Sequence, residues 1–289
     1  MKEFKRDNKN NYKNNKPRPN KPQRQGQPQE RLGSRDSYGE EEKETSFIVG
    51  RNAVKEALKS GRPLDKLFIQ NIQNKSSLGE IIALAKERNI PIKELTAQKL
   101  NQMSAGENHQ GVIISCSAKE FVSLDEAFDS LNGEAPFFVI ADEIEDPHNL
   151  GAIIRTAESA GANAVIIPKR RGVSLTSAVA RTSAGAIEHM NVVRVTNLVD
   201  TIKSLQKRGV WVYCADMDGE RWCQANLTGP LAIVIGSEGR GVGRLIKESC
   251  DGVLSLPMNG KINSLNASVA CGIILYEATR QRLGIKSRG

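Results

Sequence analysis

The sequence predicts an α/β protein with a mostly parallel sheet covered by helices, on three observations. From residue 45 onward, short apolar runs alternate with amphipathic stretches of helical period. Two of those runs, Phe137–Ala141 and Leu231–Ile235, are apolar throughout, as strands buried on both faces are. Glycine and proline punctuate the joins, as at Gly133, Pro136, Gly229 and Pro230. Strands and helices alternating at this spacing call for parallel pairing, because each crossover helix covers one face of the sheet.

The first 44 residues stand apart. Asn, Gln, Lys, Arg and Pro dominate, and Pro17, Pro19, Pro22 and Pro28 interrupt any regular element, so 1–44 is expected to be a disordered basic arm. Its first 35 residues carry eleven Lys/Arg against three Asp/Glu. Such an arm binds polyanions without sequence preference; a solvated tail fits the same composition.

Residues 52–59 place Val54, Ala57 and Leu58 on one helical face, and Gly61 ends the pattern. The stretches 66–70, 77–88, 90–95, 96–103 and 111–115 then read strand, helix, strand, helix, strand. This makes a compact α/β unit over 45–117. A linker at 118–135 contains a short helical pattern at 123–131. The second unit, 136–289, opens with strand Phe137–Ala141, followed by helix 149–160, strand 164–167, helix 175–181, strand 192–195, helix 198–208 and strand 210–214. Strand Leu231–Ile235, helix 242–248, strand 252–256 and a long helix 264–282 complete it. On that helix Leu265, Val269, Gly272, Ile273 and Tyr276 are expected to form the buried face.

Several function classes drop out. The longest apolar runs fall far short of the ~20 residues that cross a bilayer, and the N-terminus has no apolar segment of the secretory kind. The five cysteines are odd in number with no CxxC pair, so reduced thiols, a cytoplasmic location and no metal site are expected. His148 has no second ligand at metal-binding spacing.

Ligands of parallel sheets bind beyond the carboxyl ends of the strands, and three unusual loops stand there. The first runs from Asp142 through Asp146, Pro147, His148, Asn149 and Gly151 to Arg155. Arg155 lies off the apolar stripe of Leu150, Ile153, Ile154 and Ala157, and Gly151 admits a close approach of backbone. A surface arginine paired with Glu158 is the plainer reading. The second, Gly236-Ser237-Glu238-Gly239-Arg240-Gly241, follows a buried strand; its glycine spacing fits neither a dinucleotide fingerprint nor a P-loop. Glu238 inside it calls for a cation or hydroxyl. In the third, Leu256-Pro257-Met258 leads to Ser264-Leu265-Asn266, with Ser264 expected to cap the last helix and Asn266 left unexplained.

In this order and spacing the three loops resemble the motifs of the SpoU (TrmH) family of RNA ribose 2′-O-methyltransferases, and 45–117 resembles the small ribosomal-protein-like RNA-binding domain of its RlmB-type members. The resemblance implies a SPOUT domain over 136–289 with a deep trefoil knot, S-adenosylmethionine as methyl donor, RNA as partner and a homodimer. It implies cofactor contacts at Gly236, Leu256, Pro257, Met258 and Leu265, and active-site roles for Asn149, Arg155, Glu238, Ser264 and Asn266. Because arginine stays protonated, Arg155 is expected to polarise the hydroxyl or hold a phosphate, with Glu238 orienting it. Arg170 and Arg171 are candidate RNA contacts. A 23S rRNA guanosine is the first expected target and a tRNA ribose the second; a catalytically silent RNA-binding factor is the rival class.

Overall fold

A computed structural model of the chain describes residues 45–71, 76–117, 119–262 and 264–286. The arm expected over 1–44 lies outside them. The described residues form one compact unit.

Its first part is built from β1 (Thr45–Val49), α1 (Arg51–Lys59), β2 (Leu64–Gln70), α2 (Gly79–Glu87), β3 (Ile92–Leu95), α3 (Ala97–Met103) and β4 (Val112–Ser117). These strands form a mixed sheet in the order β1-β4-β2-β3, with only β2 and β3 parallel. Strand β1 goes beyond the sequence reading, which placed no strand before residue 66. Thr45 to Val49 pair with Ser117 to Ile113, a long-range ladder to which no local pattern points.

The segment expected as a linker packs into the second core. Helix α4 (Leu124–Asp129) starts with a capping box between Ser123 and Glu126, and Ala127 is buried against Phe138 and its neighbours. Beyond it come β5 (Phe137–Ala141), α5 (Pro147–Ser159), β6 (Ala164–Pro168), α6 (Ser177–Thr182), β7 (Asn191–Val195), α7 (Leu198–Lys207), β8 (Trp211–Arg221), β9 (Leu231–Ile235), α8 (Arg244–Ser249), β10 (Gly252–Ser255) and α9 (Ala267–Arg282). Every strand pair of this sheet is parallel, in the order β10-β8-β9-β5-β6-β7. The expected α/β class holds, and apolar clusters cover both faces.

The strand order decides where a ligand can bind. From β5 the chain steps outward through β6 and β7, then returns on the other side, so that β9 pairs with β5 and β8 lies between β9 and β10. The ends of β5 and β9 thereby flank a topological switch point, and the loop after β10 reaches the loop after β9 past the end of β8. The two sheets are tied by a shielded ion pair: Arg62 Nη1 donates to both carboxylate oxygens of Glu188 at 2.9 and 2.8 Å.

Two expectations are corrected here. The last helix begins at Ala267, and its cap is Asn266, whose Oδ1 accepts from the Ser268 and Val269 backbone N–H groups; Ser264 lies in the preceding turn and caps nothing. Its buried face is Ala267, Cys271, Ile274, Leu275 and Ala278, whereas Val269, Ile273 and Tyr276 are 50%, 39% and 53% exposed and Leu265 is also exposed. Helix α9 is apolar on both sides, so periodicity offered two candidate core faces, and the contact with α5 and β9 selected the one with small residues.

Candidate active site

Loop 236–241 folds back so tightly that a Cβ on Gly236 would lie 2.1 Å from the carbonyl carbon of Gly241. Only glycine fits there. The loop is tethered to the end of β5 by Asp142, a buried carboxylate that accepts from the Gly243 N–H at 2.8 Å. Burial raises the Asp142 pKa, the Gly243 hydrogen bond lowers it in part, and the neighbouring Glu143 charge raises it further.

Glu238, at the tip of this loop, gathers two amides from distant parts of the chain. Asn149, in the first turn of α5, donates from Nδ2 to Glu238 Oε1 at 2.9 Å, and Asn266 Nδ2 donates to the same oxygen and to Asn149 Oδ1, the latter at 3.0 Å. The carboxylate thus sits beside the N-termini of α5 and α9, where helix dipoles favour negative charge. Among the described residues no donor reaches Glu238 Oε2, so that oxygen can still accept.

Two cavities meet at this loop. The first, about 320 Å³, is lined by Gly236, Glu238, Leu256, Met258, Ser264 and Leu265, all singled out from the sequence, and also by Ala215, Asp216, Met217, Leu254, Ala267 and Ala270. The second, about 290 Å³, is lined by Glu143, Ile144, Glu145, Asp146 and Asn149, and shares Ser237, Glu238, Gly239 and Arg240 with the first. Pro257 is exposed and lines neither cavity, because its turn directs Leu256 and Met258 inward. The sequence reading missed Ala215 to Met217 by ending β8 at Cys214. The strand runs on to Arg221 through a register shift opposite Val253 and Leu254, and the acidic residues Asp216, Asp218 and Glu220 hid it. Asp216 is paired with Lys247 at 3.0 Å, and its pKa lies below the usual value: burial raises it, and hydrogen bonds from Lys247 and the Met217 N–H outweigh that.

The structure parts Arg155 from this group. It lines a third groove, about 330 Å³, with Asn52, Lys55 and Glu56 of α1 and with Glu158, Ser183 and His189. Six residues beyond Asn149 on a helix, it faces another direction, so within one chain Glu238 orients Asn149 and Asn266 and not Arg155. The plainer reading, a pair with Glu158, also fails: Arg155 has no hydrogen bond or ion pair among the described residues, and Glu158 Oε2 accepts from Ser159. The close approach that Gly151 admits is between helices: a Cβ there would lie 2.6 Å from Thr182 Cβ on α6. Arg170 and Arg171 are exposed on the loop after β6, and Arg171 pairs with Glu143 at 3.4 Å.

The sequence model described as the SpoU rRNA Methylase family matches residues 136–276. One described as RNA 2′-O ribose methyltransferase substrate binding matches residues 47–122. The chain belongs to the SpoU family of RNA 2′-O-methyltransferases. A protein of Bacillus subtilis strain 168 named as a putative TrmH family tRNA/rRNA methyltransferase is 48% identical over 240 residues, covering 82% of this chain and 96% of its own length. A Staphylococcus haemolyticus protein of the same family name is 45% identical over 244 residues, covering 83% and 97%. A solved RNA 2′-O ribose methyltransferase superposes with TM-score 0.69 at 25% identity, covering 83% of this chain and 90% of that one. The SpoU methyltransferase AviRb of Streptomyces viridochromogenes, solved with the cofactor AdoMet, shares the fold with TM-score 0.70 at 23% identity, covering 83% and 91%.

The first cavity suits such a cofactor. Leu254, Leu256, Met258 and Leu265 give an apolar wall suited to an aromatic ring, and Glu238 on the same lining supplies a carboxylate that attracts a cation. Among the described residues no group of His, Cys, Asp and Glu could hold a metal ion, and no helix is long and apolar enough to cross a membrane.

Proposed function

We propose that this chain is a homodimeric, cytoplasmic 23S rRNA (guanosine-2′-O-)-methyltransferase with S-adenosylmethionine as its methyl donor. The observation that carries this reading is the Glu238 group: one carboxylate ties Asn149 and Asn266 together at the junction of two cavities, one suited to the donor and one open for an acceptor nucleoside. We take 45–117 as the RNA-binding unit, 118–135 as its connection and 136–289 as the catalytic unit. The knot implied by the resemblance belongs to this reading. Its support is the path of the chain after β10, which lines the cavity beside loop 236–241 and then sets α9 against α5.

Bound S-adenosylmethionine supplies an electrophilic sulfonium methyl group. The chain's work is then to align a ribose 2′-oxygen with it and to manage the hydroxyl proton, and alignment alone is worth as much as ~7–11 kcal/mol. Gly236, Leu256, Pro257, Met258 and Leu265 form the donor side, with Pro257 holding the turn from outside. Asn149 and Asn266 fix the carboxylate of Glu238, whose free Oε2 accepts from the ribose hydroxyl or from a guanidinium, and Ser264 stands at the cavity edge. Arg155, unpaired and turned away from its own Glu238, acts in the site of a second copy, where it polarises the hydroxyl or holds the adjoining phosphate. The exposed apolar side of α9, Val269, Ile273 and Tyr276, supports a face between two copies. Arg170 and Arg171 face incoming RNA.

The test is direct. Calorimetry should show uptake of S-adenosylmethionine by the purified chain, and mapping of 2′-O-methyl positions should reveal one 23S rRNA guanosine that is methylated in wild-type cells and unmethylated in a deletion strain. Loss of a tRNA methylation instead would replace the target, and no uptake with no lost methylation would end the reading.

A further inference from the structure

Two non-glycine residues beside the second cavity hold backbone conformations that side chains rarely adopt, Glu143 at φ 51° and Arg171 at φ 59°. They belong to the loops after β5 and β6, which are stitched together by a hydrogen bond from the Val173 N–H to the Ile144 carbonyl at 2.9 Å. Backbone of this kind persists only where its surroundings enforce it, and it clusters at functional sites. Here it sets Arg171 Nη1 3.4 Å from Glu143 Oε1, while Arg240 of the loop after β9 brings its own Nη1 to 3.6 Å from Glu143 Oε2.

One carboxylate therefore holds two guanidiniums that come from different strand ends. Glu143 is only 26% exposed, whereas Arg171 and Arg240 are 80% and 82% exposed. Pairs so open to water add little stability, and each guanidinium offers five N–H donors, most of them unused at these distances. The trio has a net charge of +1, which one phosphodiester would neutralise. Arg240 and Glu143 also line the second cavity, next to Asn149 and Glu238.

We propose that Arg171 and Arg240, held apart by Glu143, clamp the backbone phosphate adjoining the nucleotide that enters the second cavity. Guanidiniums match phosphate oxygens in a bidentate way that lysine does not, and Glu143 keeps both turned outward before RNA arrives. The ligand is a phosphodiester of a single-stranded polynucleotide. This proposal rests on the RNA 2′-O-methyltransferase reading and adds to it a residue, Arg240, to which that reading gives no role, together with a reason for the strained backbone at Glu143.

The full chain is titrated with guanosine 3′,5′-bisphosphate and with guanosine, followed by protein magnetic resonance, and methylation of total RNA from a deletion strain is measured in parallel. Wild type should bind the bisphosphate at least tenfold more tightly than the nucleoside. Arg171→Asn, which suits a left-handed backbone, and Arg240→Ala should each remove most of that preference, and Arg171→Asn should raise the apparent KM for RNA tenfold or more with a smaller change in kcat. Arg171→Lys should recover part of the loss. Equal binding of nucleoside and bisphosphate by wild type, or a preference retained in the double variant of unchanged Tm, would overturn the clamp. A wild-type protein that prefers the bisphosphate yet transfers no methyl to RNA leaves the clamp standing and overturns the methyltransferase reading.

Discussion

Helix α5 has two ends with opposite fates. At its first turn Asn149 is buried and hydrogen-bonded on both sides of its amide, to Glu238 and to Asn266. Six residues on, about 9 Å along the axis, Arg155 is exposed, without a partner among the described residues, and lines a different groove. The lesson lies in the contrast. Asn149 is locked by its neighbours at the meeting of the two cavities, while Arg155 is left free, which on the proposed reading lets it meet the site of a second copy.

Breaking the free end should have the largest effect. Arg155→Ala is expected to lower kcat for methyl transfer by about a thousandfold, the scale of losing one preorganised charge at a reacting oxygen, with the dissociation constant for S-adenosylmethionine within threefold of wild type by calorimetry. A variant that keeps most of its turnover would remove Arg155 from the chemistry. Breaking the locked end should act on both quantities. Glu238→Ala leaves the buried Asn149 Nδ2 without its acceptor, at a cost of about 1–3 kcal/mol, while Asn266 keeps Asn149 Oδ1, and is expected to weaken donor binding as well as turnover; an unchanged donor affinity would detach the network from the cofactor cavity.

The contrast sharpens if the two ends are joined by a second copy. Ile273→Glu puts a charge into the apolar stripe of α9 and should shift the protein to monomers in light scattering at micromolar concentration, with methyl transfer lost alongside. The smallest effect is expected behind the locked end. Because burial holds the Asp142 pKa above its unfolded value, the ionised carboxylate opposes folding, and its contribution falls as pH rises from below the ordinary carboxylate range through the raised value. Asp142→Asn keeps an acceptor for the Gly243 N–H without a charge, so its Tm should equal or exceed that of wild type at neutral pH and vary less between acid and neutral pH. A lower Tm would give the charge itself a structural role.

How much of this was legible in the sequence follows the same division. Elements defined by local pattern were read almost to the residue, Phe137–Ala141 and Leu231–Ile235 among them, because a run of five apolar residues between turns has few other uses. Elements fixed by distant pairing escaped: β1, which needs β4, and the end of β8, which needs β10. Gly236, Glu238, Asn149 and Asn266 were all singled out, yet the bonding of Glu238 to the two amides rather than to Arg155 was not, since Asn149 and Asn266 lie 89 and 28 residues from it along the chain. The exposed side of α9 was mistaken for core for a physical reason, in that Val269, Ile273 and Tyr276 are residue types that a buried helix face also carries, so the pattern alone does not tell the two faces apart.

Mixing subunits tests the central claim most directly. If Arg155 of one copy completes the Glu238 site of another, Arg155→Ala and Glu238→Ala proteins, each inactive alone, should regain methyl transfer when denatured together and refolded. One of the two sites in every mixed dimer then has both residues, which predicts about one quarter of wild-type activity for random pairing. A mixture that forms dimers and stays inactive would contradict a site shared between copies.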